Sequence, residues 1–415
     1  MAQNQNMRVS AALEIVEAFA IEPQPYRVYC SRMKRTQKIS VLQVIPSMNE
    51  GGAEQSCLDV SRALVARGDG SFVFSKGGSL AADIKDTGAI LISGNAQSKN
   101  PFVMLRNVLV IAGIIQTNKI NVVHARSRAP AWSCFIACAI TRTPLVTTFH
   151  SQYNFNNFFK KFYNSVMTKG IIIIANSAST EQHILESYGV EPDKVVLIHR
   201  GINVEKYSNH NVARKSAINL RREITSSNTE KVITLPGRLT SWKGHGLLIE
   251  ALYQMKERCP NLSFRCVFVG DLDKNDKYVI YLTDLIQRRN LSDCVRFLGH
   301  FRNMELVYAS SDLIVSASTE PEGFGRVSAE AQAMEKVVVA SNHGGSREII
   351  IDAVTGWLFE PGDSLDLSKK IETALTTREE TLKEMGRLGR QHVLRHFSRE
   401  VMCEKTLQVY DRAIG

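Results

Sequence analysis

Short apolar runs alternate along the chain with longer segments whose apolar positions recur at helical spacing. The strand-like runs lie at residues 41–45, 71–74, 121–124, 145–149, 171–175 and 195–198, and then at 232–235, 264–269, 295–298, 313–316 and 337–340. Helical patterns stand between them, for example at 53–67 and 130–140. Apolar strands separated by helices are typical of parallel sheets covered on both faces. The pattern therefore predicts an α/β protein with doubly wound sheets.

The alternation falls into two series, which predicts two Rossmann-like domains facing across a cleft. We place the first domain at residues 39–210, a polar linker region at 211–231 and the second domain at 232–395. Residues 396–415 are predicted to form a final amphipathic helix, with Met402, Thr406, Val409 and Ala413 on one face. In such folds ligands bind beyond the carboxyl ends of the strands.

Residues 1–38 form an N-terminal extension that fits neither series, and two interpretations stay open. Either Met33 is the native start, or residues 9–19 form a short amphipathic helix on the surface. Glutamates at positions 14, 17 and 22 interrupt the apolar residues, so a secretory signal is not expected. Because no apolar run reaches the roughly 18 residues of a membrane-spanning helix, we expect a cytoplasmic protein.

The composition is that of a globular enzyme, with 44% hydrophobic and 22% charged residues. The formal net charge is +10, and residues 88–180 contain nine Lys or Arg but no Asp or Glu. Such a segment suits an anionic membrane or an acidic substrate, or it is a solvated face without a partner. Neither the aromatic signature of RNA-binding domains nor a zinc-finger pattern is present in the sequence, so no nucleic-acid partner is expected.

The eight cysteines include no Cys-x-x-Cys pair and no pairing with His at zinc spacing. Neither a disulfide nor a structural metal is therefore expected. Cys134 and Cys138 lie four positions apart in an apolar stretch, which favours two small core residues on one helix face.

Paired glycines, Gly51 and Gly52, join the first predicted strand to the first helix. Glycines at this point let backbone amides approach a phosphate at a helix N-terminus, although a plain tight turn explains them equally well. The dinucleotide fingerprint Gly-x-Gly-x-x-Gly is missing, which disfavours a nicotinamide enzyme.

Two loops of the second domain carry charges beyond strand ends. Arg238 and Lys243 lie on a glycine-punctuated loop and can both reach one diphosphate, although each alone could be a solvated surface charge. After the strand at 313–316, Gly323 and Gly325 mark a loop that enters a helix. Glu322 precedes this helix and Glu330 lies about two turns inside it, so the two carboxylates can reach different parts of one extended ligand.

With these motifs the chain resembles the retaining glycosyltransferases of the GT-B fold, family 4, over residues from about 39 to the end. The basic segment around Arg126, Arg128 and Trp132 is similar to the branch that transfers lipopolysaccharide and other envelope sugars. The resemblance implies a nucleotide-sugar donor held by the second domain, an acceptor held by the first, and no metal or other cofactor. It also implies that the last helix crosses back to the first domain.

The resemblance also implies roles for single residues. Arg238 and Lys243 would clamp the diphosphate, Glu330 would bind the ribose, and His150 would lie beside the donor sugar. Glu322, with the backbone of Gly323, Phe324, Gly325, Arg326 and Val327, would contact the sugar and phosphates, and the amides at Gly51 and Gly52 would approach the donor phosphate. An ordinary histidine at a strand end is the alternative for His150. The family's Asn-Gly-x-Asp segment stands here as Arg200-Gly201-Ile202-Asn203.

The sequence thus predicts a retaining, metal-independent transfer of a sugar to an envelope glycan or an anionic lipid-linked acceptor. Arg126, Arg128, Lys160 and Lys161 are the expected contacts to that acceptor or to the inner membrane surface. Trp132 is predicted as a core residue, with an acceptor platform as the alternative. Two other functions stay open: a nucleotide-sugar 2-epimerase of the same fold, and a non-catalytic sugar-nucleotide binding module.

Overall fold

The computed structural model describes residues 38–49, 51–227 and 229–415, so the two interpretations of the N-terminal extension lie outside the described residues. The described chain divides into two compact units. The N-terminal unit contains residues 38–201 and 399–415, and the C-terminal unit contains residues 202–398.

The N-terminal unit is built on a parallel sheet of seven strands within the described residues, in the order β3-β2-β1-β4-β5-β6-β7. The strands are β1 (Ser40–Val44), β2 (Gly70–Ser75), β3 (Ile90–Ser93), β4 (Val122–Ala125), β5 (Leu145–Phe149), β6 (Ile172–Ala175) and β7 (Val195–Leu197). Alternate residues of β1 enter different cores: Leu42 and Val44 join one cluster, and Val41 joins another. Both faces of the sheet are therefore covered.

Seven α-helices of the described chain pack on this sheet. They are α1 (Gly52–Arg67), α2 (Ala81–Asp86), α3 (Pro101–Thr117), α4 (Arg128–Thr141), α5 (Phe158–Ser165), α6 (Ala178–Tyr188) and, at the chain's end, α15 (Arg399–Ala413). The predicted apolar face of the last helix is confirmed, because Met402, Thr406, Val409 and Ala413 are all buried.

The C-terminal unit repeats the architecture with six parallel strands of the described chain, in the order β10-β9-β8-β11-β12-β13. The strands are β8 (Lys231–Pro236), β9 (Phe264–Val269), β10 (Val295–Gly299), β11 (Leu313–Ser316), β12 (Val337–Ser341) and β13 (Trp357–Phe359). Its helices are α7 (Arg214–Ile224), α8 (His245–Arg258), α9 (Lys277–Arg288), α10 (Met304–Ser310), α11 (Arg326–Ala333), α12 (Ser346–Ile349), α13 (Ser364–Thr376) and α14 (Glu379–His396).

The predicted fold class is confirmed, and every strand-like run named from the sequence contributes to a strand. Two further strands, β3 and β13, were not predicted. Residues 211–231, predicted as a linker region, contain α7 and lie inside the C-terminal unit. The chain passes between the units at 201–202 and again at 398–399.

No helix in the described part of the chain is both long and apolar enough to cross a bilayer. Cys134 and Cys138 are buried on α4 and belong to one core cluster of the N-terminal unit.

Candidate functional site

The strand order of the C-terminal unit reverses between β8 and β11. In open parallel sheets this reversal leaves a crevice at the carboxyl ends of the two strands, where ligands bind. The loop after β8 carries Arg238 and Lys243, and the loop after β11 carries Glu322. Both motifs predicted from the sequence therefore start at this one point of the sheet.

Gly244 lets these two loops approach each other closely. Its φ of 77° is left-handed, and a Cβ placed on it would lie 1.8 Å from the carbonyl oxygen of Ala317. The Thr319 amide also donates to the Trp242 carbonyl over 2.7 Å. Only glycine satisfies both the backbone conformation and the space.

Lys243 and Glu322 form the centre of the site. The Lys243 Nζ donates to Glu322 Oε1 over 2.7 Å, and the two side chains are only 13% and 12% exposed. The Ser318 hydroxyl donates to the same Oε1. The Lys243 Nζ also lies 4.4 Å from the centroid of the Trp242 ring, a cation–π contact that restricts its position.

The start of α11 adds backbone donors beside this ion pair. Gly325 is the N-cap residue in a left-handed conformation, φ 84°, and within the described chain no side chain caps the helix. Unpaired amides at a helix N-terminus favour an anion. Phe324 is buried in the core against Phe397, with ring centroids 6.0 Å apart, so only its backbone can serve a ligand.

Glu330 lies deeper, and both of its carboxylate oxygens have partners. Arg326 donates to Oε1 over 2.8 Å, and the Tyr308 hydroxyl donates to Oε2 over 2.9 Å. The charge of Glu330 raises the pKa of Arg326, and burial together with Glu330 raises the pKa of Tyr308. Each carboxylate oxygen has a further lone pair, so Glu330 can still accept a ligand hydroxyl.

Arg238 directly follows Gly237 at the end of β8, and its side chain is exposed. Val327, in the first turn of α11, is half-buried. The structure thus joins Lys243 to Glu322 and Arg326 to Glu330, and leaves the Arg238 guanidinium at the surface.

In the N-terminal unit, Gly51 and Gly52 stand at the start of α1. A Cβ on Gly52 would lie 2.3 Å from the Arg200 Nη1, and one on Gly51 would lie 2.3 Å from the Glu54 Oε2. The positive charge of the Arg200 guanidinium therefore adds to the positive end of the helix dipole at Gly52. The negative charge of the Glu54 carboxylate offsets it at Gly51.

His150 follows β5 and lines a small cavity of about 20 Å³ together with Arg126, Asn176 and Arg200. Its carbonyl accepts hydrogen bonds from Asn176 Nδ2 at 2.9 Å and from Arg200 Nη2 at 3.1 Å. Burial, with the charges of Arg200, Arg126 and His124, lowers the pKa of His150 well below its usual value. The imidazole is therefore neutral at pH 7 and has one donor and one acceptor nitrogen.

Of the four basic residues predicted as acceptor or membrane contacts, only Lys160 and Lys161 are exposed. Arg126 does not reach a membrane surface, because its side chain is buried at the end of β4, where Nε donates to Gln43 Oε1 over 2.8 Å. The alternative contact of Arg126 with the acceptor stays a prediction. Arg128 is half-buried and donates to Asn164 Oδ1 over 2.9 Å. Its guanidinium lies 4.3 Å from the centroid of the Tyr153 ring.

The sequence predicts no role for Ser318, Trp242 or Tyr308. Ser318 and Tyr308 hydrogen-bond the two glutamates, and Trp242 contacts Lys243. Trp242 and Ser318 lie close in sequence to Lys243 and Glu322, so the same two loops are the local signal that could have found them. Tyr308 lies 22 residues before Glu330, and only the tertiary fold, in which both helices contribute to one core cluster, brings its hydroxyl to the carboxylate. Among the described residues, no cluster of three or more His, Cys, Asp or Glu is arranged to hold a metal ion.

Two parallel-sheet units of this kind, with a cationic loop and a glutamate-bearing loop meeting at a sheet's switch point, define a protein of the GT-B class. The family described as Glycosyltransferase Family 4 matches residues 50–206, and the family described as Glycosyl transferases group 1 matches residues 217–392. A glycosyltransferase of known structure from Rickettsia africae is 36% identical, with a TM-score of 0.83, covering 91% of this chain and 99% of its own. The chain belongs to glycosyltransferase family 4.

Two further relatives are more distant. A D-inositol 3-phosphate glycosyltransferase of Corynebacterium diphtheriae is 29% identical over 58% of this chain and 56% of its own length, so the match spans a little over half of that curated relative. Anabaena Alr3699/HepE, whose structure contains UDP and glucose, is 24% identical with a TM-score of 0.76. It covers 90% of this chain and 100% of its own, and this likeness shows the fold alone.

Proposed function

We propose that the protein transfers a sugar, with retention of configuration and without a metal ion, from a nucleotide-sugar donor to an envelope glycan or an anionic lipid-linked acceptor. It would act in the cytoplasm, peripheral to the inner membrane, in lipopolysaccharide or related polysaccharide synthesis. The observation that carries the proposal is the Lys243–Glu322 pair at the switch point, 2.7 Å apart and next to the start of α11.

The reaction requires stabilisation of the leaving group. The bond between the anomeric carbon and the diphosphate oxygen breaks, and both electrons leave with the diphosphate. The acceptor oxygen bonds the same carbon, and its proton passes to the departing diphosphate. Negative charge therefore grows on the diphosphate in the transition state, where fixed cations and amides are most effective. Lys243, Arg238 and the amides of Gly325, Arg326 and Val327 supply these charges and dipoles.

The two glutamates suit different parts of the donor. Lys243 and Ser318 hold the Glu322 carboxylate in the loop after β11. This carboxylate is proposed to accept a hydrogen bond from a hydroxyl of the sugar. Glu330 is fixed by Tyr308 and Arg326 and is proposed to accept the ribose hydroxyls. A carboxylate already oriented by neighbours loses little entropy when it binds a ligand.

The N-terminal unit would supply the other donor contacts and the acceptor contacts. His150 is neutral, so its ring can donate to one sugar hydroxyl and accept from another without adding charge. Gly52 would offer its amide to an anionic oxygen, with the Arg200 guanidinium close by. The acid-free residues 88–180 give this unit the charge that suits an anionic acceptor.

Magnesium ordinarily neutralises a leaving diphosphate through carboxylate ligands, and carboxylates grouped for that purpose would be required here. The residues around Lys243 offer one carboxylate, Glu322, which is already paired with the lysine. Cationic side chains and helix amides are proposed to take over that role.

The test begins with a thermal-shift screen of nucleotide sugars, in which uridine donors come first because the Anabaena neighbour was solved with UDP. A ligand at 100 times its dissociation constant stabilises by about 2.7 kcal/mol. Products are then analysed with and without a lipid-linked glycan extract. A glycoside formed only with acceptor and carrying the donor's anomeric configuration supports the proposal. An epimerised nucleotide sugar formed without acceptor identifies a 2-epimerase, and binding without turnover identifies a binding module.

A further inference from the structure

The N-terminal unit exposes large apolar side chains on three neighbouring helices, α3, α4 and α5. Phe102, Leu105 and Leu109 of α3 are 83%, 61% and 70% exposed. The exposed apolar residues of the other two helices are Ile136 and Ile140 of α4 and Phe158, Phe159 and Phe162 of α5. Contiguous apolar surface of this kind marks an interaction site with a protein or a membrane. We call these residues the apolar face.

The apolar face contains a preformed groove of about 440 Å³. Leu105, Ile136 and Phe162, one from each helix, line it together with Trp132. The Trp132 ring lies 5.4 Å from the Phe162 ring, and its Nε1 donates to the Tyr163 carbonyl over 3.1 Å. The groove is therefore a fixed apolar depression and does not depend on a side chain moving aside.

Every charged side chain on these three helices is basic. Arg106 lies on α3, Arg128 is the first residue of α4, and Lys160 and Lys161 stand between the phenylalanines of α5. Lys99 lines the groove just before α3. The sequence between residues 88 and 180, which contains all three helices, has no Asp or Glu.

This combination of charge and apolar surface selects the occupant. A second copy of the chain placed face to face would bring Arg106, Lys160 and Lys161 of both copies together, with no carboxylate from these helices to compensate. An anionic lipid surface supplies both the negative headgroups and the apolar interior. Long basic side chains can reach the headgroups while neighbouring aromatic rings enter the acyl boundary.

We propose that α3, α4 and α5 form a docking face for an anionic phospholipid bilayer, in which Phe158 and Phe159 enter the interface and the groove receives one acyl chain. This proposal specifies which surface of the protein binds the membrane, and it rests on the proposed function for the choice of a membrane as partner. The test measures lipid binding and requires no catalysis. A protein that binds vesicles but transfers no sugar would therefore support the docking face and contradict the proposed function.

The experiment is co-sedimentation of the full chain with vesicles of phosphatidylcholine, alone or mixed with phosphatidylglycerol. Wild type should bind the mixed vesicles, and the bound fraction should fall as salt rises, because screening beyond roughly 8 Å weakens surface charge interactions. Phe158→Gln with Phe159→Gln should weaken binding at least about tenfold even at low salt, which is about 1.4 kcal/mol. Lys160→Glu with Lys161→Glu should also weaken it.

The matched control is Ile280→Gln with Tyr281→Gln on α9 of the C-terminal unit, since these neighbours are also exposed, at 55% and 47%. The control should bind vesicles as wild type does. Equal binding of wild type to neutral and mixed vesicles, or wild-type binding by the double Phe variant, would overturn the proposal.

A second measurement remains decisive if the double Phe variant misfolds. The photoreactive residue p-benzoylphenylalanine replaces Phe162 at the groove, and the protein is irradiated on mixed vesicles. Cross-links to the lipid acyl chain support the proposal. Cross-links to a second copy or to residues 1–37 of the same chain, in place of lipid, show a protein occupant and contradict it.

Discussion

Glu322 and Glu330 are separated by only seven residues, yet their carboxylates have different surroundings. Glu322 contacts one lysine at the mouth of the loop, whereas Glu330 is buried between Tyr308 and Arg326. We expect Glu322→Gln to impair turnover more than nucleotide binding, and Glu330→Gln to weaken binding of the bare nucleoside diphosphate. Calorimetry with that nucleotide distinguishes the variants, with the exposed Glu320→Gln as control. Equal weakening by both substitutions would refute the division of roles.

Lys243→Ala and Arg238→Ala should each remove a charge-assisted hydrogen bond to the leaving diphosphate. Such a bond contributes about 1.5 to 3 kcal/mol, which is roughly a 10- to 150-fold loss of turnover. The loss should appear at saturating donor, because the charge grows in the transition state. Lys256→Ala, near the opposite end of α8, is the matched control. A variant that keeps half of the wild-type turnover would show that its cation does not serve the diphosphate.

His245 gives the C-terminal unit a pH-dependent stability. Burial, reinforced by Lys243, lowers its pKa from 6.5 to about 4. Below pH 6.5 the unfolded chain binds a proton that the folded chain excludes, so the free energy of unfolding falls as the pH drops toward 4. The contribution is about 3 kcal/mol when fully lost.

Urea unfolding at pH 7 and near pH 4.5 measures this contribution. His245→Phe fits the aromatic contacts to Phe268 and Tyr278 and should make the free energy of unfolding less dependent on pH. His210→Phe, at an exposed position, should leave the dependence as in wild type. An unchanged pH dependence in His245→Phe would contradict the assignment.

At the residue scale the sequence identified the charged members of the site but not their partners. The residue types in two short motifs are typical of phosphate and hydroxyl binding, and these motifs contain Arg238, Lys243, Glu322 and Glu330. Tyr308 reaches Glu330 through tertiary packing, which no local pattern encodes. The acid-free segment predicts Arg126 as a contact to the acceptor or the membrane. The membrane alternative fails because Gln43 holds the Arg126 side chain inside, which the charge pattern along the sequence does not show.

At the scale of elements, the site depends on how closely the loop before α8 approaches the end of β11. Gly244→Ala would place a methyl group on the Ala317 carbonyl in a left-handed conformation. Gly68→Ala, also at positive φ but with no atom within 4 Å of the added methyl group, is the control and should cost about 1 to 2 kcal/mol. The Gly244 variant should lose more stability than the control in chemical unfolding. Equal losses would mean that the loop is free to move away.

The elements themselves were predictable where they are buried on both sides. Continuous apolar runs identified the central strands of both sheets. β3 and β13 are edge strands whose apolar runs, residues 90–92 and 357–359, are only three residues long and so give a weaker signal than the longer runs. The sequence predicts a linker at residues 211–231 because α7 is largely polar, and only Leu220 and Ile224 of that helix are buried.

At the scale of the whole molecule, the net charge of +10 reflects an uneven distribution. Nine basic residues and no acidic ones fall in residues 88–180 of the N-terminal unit. In the C-terminal unit the candidate cations are concentrated after β8, in the loop that carries Lys243 and Arg238. The charge pattern alone does not predict the apolar face. Helix packing decides which apolar side chains of α3 and α5 are exposed, and the sequence does not show that packing.

The central claim is that the loops after β8 and β11 bind the donor diphosphate without a metal ion. Titration calorimetry in EDTA tests it most directly, with uridine diphosphate first and the other nucleoside diphosphates after it. The account predicts that at least one of them binds wild type in EDTA, that Arg238→Ala with Lys243→Ala weakens it at least about tenfold, which is about 1.4 kcal/mol, and that Lys256→Ala does not. Binding that appears only with magnesium, or an affinity unchanged in the double variant, would contradict it.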